Sequence, residues 1–463
     1  MTTATVSDPA DRLTVDLLVI GGGMAGMSAA AYAAAHGAAV GVVEKAAQIG
    51  GSARMAAGGL ACPTSVAALI ERDPGADPDL AAAMLAGYDG AIDWVRSTGV
   101  HVGQPAVHPE VMGVPCTITH HDVIAYLERC AAIVRRHGGW IVTDAEVRSL
   151  TVEGGGVAGA SVRDRDGAVE VRAPWTLLAS GGFMNDAALR DHHLGGAAGS
   201  MKVRANTCSD GAGLRLGLAA GASTSTHMNG FYGHTVPAPL ATYGPADYSR
   251  MSQHHLTVRS ILLNRDGRRF TDESLGYYRN AQAIIHQPGA RALMVGDRRI
   301  RDFDISGGEI GRTLGLEQVD RVAEAKQAGA HVVEADDLDA FAAAAAAIGY
   351  PGVAEAVRTF NDQLVTGGAI APDRTAHRAP IDAAPYFAVE IQPVITVTFG
   401  GLRTDTASRV LAGDGRPIPG LLAAGADAGG LYHRGYGGGL SAALIFGLAA
   451  ARTVLAGVTT AAP

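Results

Sequence analysis

A short apolar run that leads directly into closely spaced glycines constrains the fold of this chain more than any other feature. Residues 15–20 read VDLLVI, GGGMAG follows at once, and an alanine-rich segment comes next. This order predicts a strand, a tight turn and a helix. Gly21, Gly23 and Gly26 have the G-x-G-x-x-G spacing, which lets helix N–H groups approach a pyrophosphate. The next apolar run ends in Glu44, whose carboxylate can accept hydrogen bonds from a ribose, so we favour nucleotide binding over an ordinary glycine turn.

Composition and cysteine spacing exclude several classes of function. The chain has 463 residues, enough for two or three lobes, and its formal net charge is -8. No run of lysine or arginine is long enough to attract a nucleic acid, so we expect no nucleic-acid partner. The four cysteines form no C-x-x-C pair, which argues against a zinc site, a redox dithiol or an iron–sulfur cluster. We therefore expect no metal site and a reducing, cytoplasmic location.

Two segments bear on membrane targeting, and both argue against it. Residues 1–12 are polar and acidic and lack the basic start and apolar stretch of a secretory signal. Residues 440–458 are the most hydrophobic stretch, but Gly447 and Arg452 interrupt it and it is short for a bilayer core. The sequence predicts a buried helix there rather than a membrane span.

Three further glycine-rich segments carry a family resemblance. They are KAAQIGGSARMAAGGLACP (45–63), WTLLASGGF (175–183) and PIPGLLAAGADAGG (417–430). Each resembles a flavin-binding segment of the fumarate reductase and succinate dehydrogenase superfamily, and the resemblance implies FAD as the cofactor. Several members attach the flavin through a histidine, but none lies between His36 and His101. We therefore expect FAD to bind without a covalent link.

The resemblance implies cofactor-binding residues at both ends of the chain. Asp427 stands where the family usually has glutamate, and its shorter carboxylate could still reach a ribityl hydroxyl. The expected set is Gly21, Gly23, Met24, Ala25, Gly26, Glu44, Lys45, Gly51, Ser52, Gly58, Gly59, Val147, Ser180, Gly181, Asp210, Gly425, Asp427, Gly438, Gly439, Leu440 and Ser441.

The fold class implied is α/β, a Rossmann-like FAD-binding domain of the glutathione-reductase type with an inserted α+β capping domain. Because the flavin signatures lie at both ends, we expect residues 1–231 and 385–463 to form the FAD-binding domain. Residues 232–384 would form the cap. The substrate is expected between cap and flavin domain, where catalytic pockets are common.

Two segments of the expected cap resemble catalytic segments of the superfamily. HMNGFYGHTVPAP (227–239) is similar to M-Q-x-x-Q-x-H-P-T, which places His234 on the histidine that binds a substrate carboxylate and Thr235 on a proline. The segment from residue 264 matches N-x-x-G-x-R-F-x-[ND]-E and ends in Glu273. Its continuation, with R-N and then Q-P-G, resembles tricarballylate dehydrogenases and their FAD-dependent relatives.

The next segment, VGDRRIRDF, is matched to F-D-x-x-[VI]-R, which places Arg301 on the arginine that protonates the substrate carbon. An arginine has a pKa above about 12, so it needs a carboxylate to relay the proton. Glu273 is the candidate relay. The alternative is a solvated surface, because Arg298 and Arg299 lie beside Arg301.

The glycine-dense stretch GGLYHRGYGGGLSAALIFG (429–447) places two basic residues where few other side chains occur. The resemblance puts Arg434 on the arginine that clamps a substrate carboxylate, and a guanidinium suits that task because it can donate two parallel hydrogen bonds. His433 stands where the family has asparagine and adds a second donor. Thr396 and Val397 replace two family histidines, which argues against fumarate itself as the substrate.

The first hypothesis is therefore an FAD-dependent oxidoreductase that makes or reduces a carbon–carbon double bond next to a carboxylate or carbonyl. The second is a ketosteroid-dehydrogenase-like enzyme that acts on a cyclic ketone with tyrosines, for which the candidates are Tyr232, Tyr277, Tyr278, Tyr432 and Tyr436. The third is a flavin-binding redox partner without small-molecule chemistry. A small-molecule substrate and an external electron donor or acceptor are expected. The sequence leaves the substrate, the direction of reaction, the redox partner and the oligomeric state open.

Overall fold

The computed structural model describes residues 13–108, 114–244, 247–307 and 318–461. The chain divides into two compact units. The first combines residues 1–186, 205–230 and 397–463, and the second combines residues 187–204 and 231–396.

The described strands and helices, in chain order, have the following bounds. The strands are β1 (Leu13–Thr14), β2 (Leu17–Ile20), β3 (Val40–Val43), β4 (Gly59–Pro63), β5 (Ala106–His108), β6 (Cys116–His120), β7 (Trp140–Val142), β8 (Glu146–Glu153), β9 (Gly156–Arg163), β10 (Ala168–Arg172), β11 (Trp175–Leu178), β12 (Lys202–Val203), β13 (Phe231–Pro237), β14 (Ile261–Leu263), β15 (Ala292–Asp297), β16 (Val332–Ala335), β17 (Tyr386–Thr398), β18 (Leu402–Arg403), β19 (Arg409–Leu411), β20 (Pro417–Ala423) and β21 (Ala428–Gly429). The helices are α1 (Met24–Ala35), α2 (Val66–Arg72), α3 (Pro78–Ser97), α4 (Val123–Arg136), α5 (Ala187–Leu194), α6 (Ala212–Ala219), α7 (Tyr248–Met251), α8 (His254–Arg259), α9 (Tyr277–Ile284), α10 (Arg298–Ile305), α11 (Arg321–Gln327), α12 (Leu338–Ala347), α13 (Val353–Thr366) and α14 (Gly439–Ala461).

The first unit is built on a six-stranded sheet in the order β19-β20-β11-β2-β3-β7. The pairs that join β20, β11, β2, β3 and β7 are parallel, and β19 is antiparallel to β20. All four residues of β2, LLVI, are buried, as is typical of a strand covered on both faces. This sheet places the turn after β2 beside the ends of β11 and β20, which positions the cofactor motifs.

Helix α1 packs against α14 through small residues. Ten of the twelve residues of α1 are buried, and most of them are alanine or glycine. A Cβ added at Gly447 of α14 would lie 2.5 Å from the carbonyl oxygen of Ala25, so the two helix backbones approach closely. The helix predicted at residues 440–458 therefore forms, with Gly447 as a contact residue rather than a break.

The second unit contains a sheet in the order β12-β17-β15-β14, with β13 and β16 also paired to β17. Its helices include α12, which Asp337 caps by accepting hydrogen bonds from the N–H groups of Asp339 and Ala340 at 3.0 and 2.9 Å. The following helix, α13, ends at Gly367 in a left-handed conformation with φ 66°. The alanine run of the sequence is thus part of an ordinary capped helix.

The second unit differs from the predicted insertion at both of its ends. It extends to residue 396 rather than 384, because β17 pairs antiparallel with β15 and β16. It also includes residues 187–204, since β12 is paired in parallel with β17.

Candidate functional site

The glycine turn after β2 has a separate role for each glycine. Gly21 has φ 107°, and a Cβ there would overlap the carbonyl oxygen of Ala179 at the end of β11. A Cβ at Gly26 would overlap the carbonyl oxygen of Gly21, so this glycine permits close packing of helix and strand. Gly23 is the N-cap of α1, has no side-chain cap, and has no atom within 4 Å of its Cβ position. Met24 and Ala25 form the buried first turn of α1, so the unobstructed α-carbon of Gly23 is where a pyrophosphate could approach this helix N-terminus.

Glu44 and Lys45 follow β3 and are held in different ways. The Glu44 carboxylate is buried and accepts hydrogen bonds from the N–H groups of Gly22 and Ala46, both at 2.7 Å. Lys45 forms ion pairs with Glu146 at 3.0 Å and Asp210 at 2.8 Å. The hydrogen bond with Asp210 is the main reason why the pKa of Lys45 is raised. Glu44 is thus fixed at the end of β3, the position predicted for the ribose ligand.

Asp427 is fully buried in the 3-10 turn Gly425–Asp427 that follows β20. Its carboxylate accepts hydrogen bonds from the N–H of Ser180, the N–H of Gly182 at 3.0 Å and the hydroxyl of Ser180 at 3.2 Å. Burial raises the pKa of Asp427, although these hydrogen bonds act in the opposite direction. The contacts of Asp427 therefore fix the ends of β11 and β20 relative to each other, and the predicted contact with a ribityl hydroxyl stays a prediction.

The start of α14 contains a buried polar atom that a bound ligand could satisfy. Gly438 has φ 123°, and the N–H of Gly439 donates a hydrogen bond of 2.8 Å to the hydroxyl of Tyr436. Leu440 and Ser441 form the first turn of the helix. Among the described residues, the hydroxyl of Ser441 is buried and has no hydrogen-bond partner. This end of the helix therefore has a donor or acceptor to offer a cofactor.

The remaining predicted cofactor residues lie on neighbouring elements of the first unit. Gly51 and Ser52 begin the 3-10 turn Gly51–Met55, and the Ser52 hydroxyl accepts a hydrogen bond of 2.9 Å from the N–H of Asn206. Val147, a buried residue of β8, lines an open groove of about 400 Å³ between β8 and α6. Gly58 precedes β4 and Gly59 begins it, Ser180 and Gly181 follow β11, and Gly425 follows β20.

The segment with His433 and Arg434 is anchored by a buried acid. The Asp73 side chain accepts hydrogen bonds from the N–H of His433 at 2.7 Å and from the N–H of Arg434 at 2.9 Å. Asp73 is fully buried, so its carboxylate fixes the backbone that carries both basic residues. Sequence reasoning missed Asp73, because nothing in its local sequence distinguishes it from a surface acid.

The imidazole of His433 is held on two sides. It stacks on His227 with ring centroids 4.0 Å apart and an interplanar angle of 12°. Its Nε2 lies 2.9 Å from the side-chain oxygen of Asn229, which accepts a hydrogen bond when Nε2 carries the proton. Both partners belong to the sequence segment that was singled out for His234, but His227 and Asn229 were not predicted as site residues.

Arg301 does not contact Glu273 in the described part of the chain. Its guanidinium hydrogen-bonds to Asp320 at 2.7 Å and to Glu334 at 2.5 Å. Burial lowers the pKa of Arg301, but the hydrogen bonds to the two carboxylates prevail and raise it. Asp297, the aspartate of the matched motif, caps α10 by accepting a hydrogen bond of 3.2 Å from the N–H of Ile300. These contacts do not support a relay from Glu273 to Arg301, which stays a prediction, and the paired guanidinium is a poor proton donor.

Glu273 instead forms a buried ionic cluster. It is fully buried, and its carboxylate accepts hydrogen bonds from Arg269 at 2.6 Å and from Arg374 at 2.9 Å. It also accepts a hydrogen bond of 2.9 Å from the N–H of Leu262 in β14. Two arginines and a strand thus occupy the carboxylate, which indicates a structural role.

His234 lies in β13 within a cluster of aromatic side chains in the second unit. Its Nδ1 is 2.8 Å from Nε2 of His254, the first residue of α8. Burial is the main reason why the pKa of His234 is well below its ordinary value, and Arg204 lowers it further. The guanidinium of Arg204 lies 3.8 Å from the centroid of the Tyr248 ring, which in turn packs edge-on against His234.

Two tyrosine hydroxyls meet next to His234. The hydroxyls of Tyr232, in β13, and Tyr277, at the start of α9, are 2.6 Å apart. The ring of Tyr277 is nearly parallel to that of His234, with centroids 5.7 Å apart and an interplanar angle of 14°. Of the tyrosines proposed from the sequence, these two form a hydroxyl pair. Tyr432 and Tyr436 lie in the first unit, with ring centroids 5.5 Å apart.

A family model described as "FAD binding domain" matches residues 16–441, which is most of the chain. The chain belongs to this FAD-binding family. The FAD-binding residues predicted from the sequence fall inside the match. The unobstructed Cβ position of Gly23 suits the cofactor, as does the Ser441 hydroxyl, which has no hydrogen-bond partner in the part of the chain that the structure describes. FAD as the cofactor is thus confirmed, and the predicted superfamily is confirmed with it.

Relatives of this FAD-binding protein include a named reductase and a named dehydrogenase. A fumarate reductase (cytochrome) from Shewanella frigidimarina is 26% identical, with 96% of this chain and 77% of the relative covered. A 3-oxosteroid 1-dehydrogenase from Mycobacterium tuberculosis is 27% identical, with 69% of this chain and 60% of the relative covered. The predicted class, an FAD-dependent oxidoreductase acting on CH–CH groups, is confirmed.

Solved structures support the fold of the FAD-binding protein. A 3-ketosteroid delta1-dehydrogenase from Sterolibacterium denitrificans has a TM-score of 0.76 and 18% identity, with 96% of this chain and 100% of that chain covered. This likeness confirms the predicted α/β flavoprotein fold.

Two structural features bear on the remaining class predictions. By length and composition, residues Gly439–Val458 of α14 could cross a membrane, but 56% of that stretch is buried in the structure. No group of three or more histidine, cysteine or acidic residues is placed to hold a metal ion in the described ranges.

Proposed function

We propose that the protein moves a hydride between FAD and a carbon next to a carbonyl or carboxylate, and that the Tyr232–Tyr277 pair exchanges the proton. Loss of a hydride from one carbon and of a proton from its neighbour leaves a carbon–carbon double bond, and the reverse steps reduce it. FAD, when bound, supplies the atom that takes or gives the hydride. The observation that carries the proposal is the 2.6 Å contact between the two tyrosine hydroxyls.

A pair of tyrosine hydroxyls can do this work because each can stabilise the other's charged form. When one hydroxyl gives up its proton, the other donates a hydrogen bond to the phenolate and favours that anion. The paired phenolate can then accept a proton from a carbon acidified by a neighbouring carbonyl. His234, beside the pair, is proposed to orient the carbonyl or carboxylate oxygen.

Arg434 and His433 are also proposed as substrate-binding residues. Asp73 fixes the backbone of both residues, and Asn229 fixes the imidazole of His433. A guanidinium donates two parallel hydrogen bonds to a carboxylate, whereas an imidazole donates one to either a carboxylate or a ketone. The pair therefore suits a substrate that carries an acid, a ketone or both.

Arg301 is the second candidate for the proton donor. It has two carboxylates, Asp320 and Glu334, that can return a proton to it. Its raised pKa opposes proton release, so we place the tyrosine pair first.

The first experiment identifies the cofactor and the substrate class. The absorption spectrum of the purified protein should show FAD that is released on acid denaturation, as expected for a non-covalent cofactor. Saturated and unsaturated di- and tricarboxylates and cyclic enones are then screened for anaerobic bleaching or reoxidation of the flavin. No change with any acid or ketone would contradict the proposed reaction and favour a redox partner without small-molecule chemistry.

Tyr277→Phe and Arg301→Ala form the decisive pair of variants. Tyr277→Phe should lower kcat by about a hundredfold to ten-thousandfold, the usual contribution of a general acid or base. Arg301→Ala should change kcat by less than about tenfold, and both variants should retain FAD. Stopped-flow measurement of flavin reduction or reoxidation with the identified substrate gives both rates. If Arg301→Ala lowers kcat strongly while Tyr277→Phe stays active, the arginine transfers the proton instead.

The cellular location and the redox partner stay predictions. We propose a cytoplasmic enzyme that uses an external electron donor or acceptor. Cell fractionation tests the location, and turnover with oxygen, quinones or a flavoprotein tests the partner.

A further inference from the structure

The His234–His254 contact brings together two imidazoles that belong to different elements of the second unit. His234 is in β13 and His254 begins α8, and Nδ1 of the first lies 2.8 Å from Nε2 of the second. The ring of Tyr277 packs on His254 with centroids 4.1 Å apart, so the histidine pair lies directly beside the tyrosine pair.

Both imidazoles are neutral, because desolvation lowers the pKa of each well below its ordinary value. Two neutral imidazoles that share one hydrogen bond have a single proton between them, so one nitrogen donates and the other accepts. The direction of this bond determines whether the other ring nitrogen of His234, Nε2, carries a proton. If His254 donates, His234 carries its proton on Nε2; if His234 donates, its Nε2 is an acceptor.

The direction of the His234–His254 hydrogen bond matters because it sets what Nε2 of His234 can bind. The side chain is fully buried, and in the described ranges Nε2 has no hydrogen-bond partner. A buried polar atom left unsatisfied costs free energy, so a ligand atom is expected to bond to it. The cation near His234 is Arg204, whose guanidinium covers the Tyr248 ring, and a positive charge there favours an oxygen of partial or full negative charge. Such an oxygen requires a donor at Nε2.

We propose that His254 is a positioning residue that donates its Nε2–H to Nδ1 of His234 and thereby holds the proton of His234 on Nε2. In this tautomer His234 is a neutral donor to a carboxylate or carbonyl oxygen of the substrate. The inference rests on the proposed function for the identity of that oxygen, but the tautomer itself is a property of the enzyme without substrate.

Substitutions at His254 test the donor. His254→Gln places an amide N–H₂ near the same position and should keep KM within about threefold of the original. His254→Leu has no donor and should raise KM by at least about tenfold, with a smaller change in kcat and unchanged FAD content. His255→Gln, at the next position, is the matched control and should leave KM unchanged. Equal KM values for the glutamine and leucine variants, with both folded, would overturn the role of the hydrogen bond.

The tautomer is measured without any substrate. Long-range ¹H–¹⁵N correlation spectra of the FAD-loaded protein labelled with ¹⁵N-histidine distinguish an Nε2–H ring from an Nδ1–H ring, and His234→Gln assigns the signal. The Nε2–H form is expected in the original protein and in His254→Gln. An Nδ1–H form of His234 overturns the inference even if the proposed reaction is correct. Conversely, an Nε2–H signal in a protein that acts on no acid or ketone contradicts the proposed function alone.

Discussion

At the scale of single residues, the glycine turn shows that one motif contains different physical requirements. Gly21 and Gly26 are required by the protein itself, because a Cβ at either position meets a backbone carbonyl oxygen. A Cβ added at Gly23 has no atom within 4 Å, so the protein alone does not require glycine there. The requirement at Gly23 must come from what binds at the N-terminus of α1.

Alanine substitutions separate these two requirements. Gly26→Ala should destabilise the protein by about 1–3 kcal/mol, the usual range for overpacking. Gly23→Ala should leave the thermal midpoint of the FAD-free protein nearly unchanged and weaken FAD binding by at least about tenfold. Calorimetric unfolding of the FAD-free variants and flavin fluorescence titration measure the two effects. Unaltered FAD affinity in Gly23→Ala would show that the cofactor does not approach this α-carbon.

At the scale of elements, Glu273 ties together segments that are distant in sequence. Its carboxylate accepts hydrogen bonds from the N–H of Leu262 in β14 and from Arg374, and its backbone carbonyl accepts one from the side-chain amide of Asn280 in α9. Both Glu273 and the side chain of Arg374 are fully buried, so neither charge can be hydrated if the pair is broken. We therefore expect the likeness to a catalytic motif at this glutamate to reflect a requirement of the fold.

Glu273→Gln tests this assignment. Removing one partner of a buried ion pair costs about 3–5 kcal/mol, so the variant should unfold at a lower temperature while kcat per folded molecule stays within about threefold. Thermal unfolding and active-site titration through flavin absorbance give the two quantities. If Glu273→Gln yields no folded protein, Arg374→Lys keeps the charge and provides the milder test. A variant with full stability and a hundredfold lower kcat would restore the proton relay.

The sequence predicts the geometry of the glycine turn better than the contacts of the side chains in the second unit, and the reason is physical. The flavin motifs are local, since Gly21, Gly23 and Gly26 act within one turn and report their own backbone geometry. The contacts of Arg301 are not local: Asp320 is 19 residues away and Glu334 is 33 residues away, so a motif cannot show that both carboxylates pair with it. The same holds for the bond between His234 and His254.

At the scale of the whole molecule, buried neutral histidines make stability depend on pH. His255 is half-buried, and desolvation, followed by Arg321 and Arg259, lowers its pKa to about 4. An unfolded histidine titrates near 6.5, so between pH 6.5 and 4 the unfolded chain binds a proton that the folded protein does not. The free energy of unfolding therefore falls as pH falls through this window. His234 and His254 contribute with the same sign.

His255→Asn should reduce this dependence. One such group contributes a slope of about 1.4 kcal/mol per pH unit, which the variant loses over the same window. Urea unfolding followed by circular dichroism at pH 7, 6 and 5 measures the slope for both proteins. If the free energy of unfolding depends on pH equally in both proteins, the pKa of His255 is the same in the folded protein as in the unfolded chain.

The way the chain is divided between the two units determines which unit can fold first during synthesis. The polypeptide passes from one unit to the other four times, after residues 186, 204, 230 and 396. The strand β20, which pairs with β11, and the helix α14, which packs on α1, both come after the last of these passages. On the ribosome, the second unit is complete before the flavin-binding sheet has its last strands. The N-terminal part of the nucleotide site is therefore synthesised long before its C-terminal part, and a chain that stops before β20 lacks Asp427 and the start of α14, both predicted to bind the cofactor.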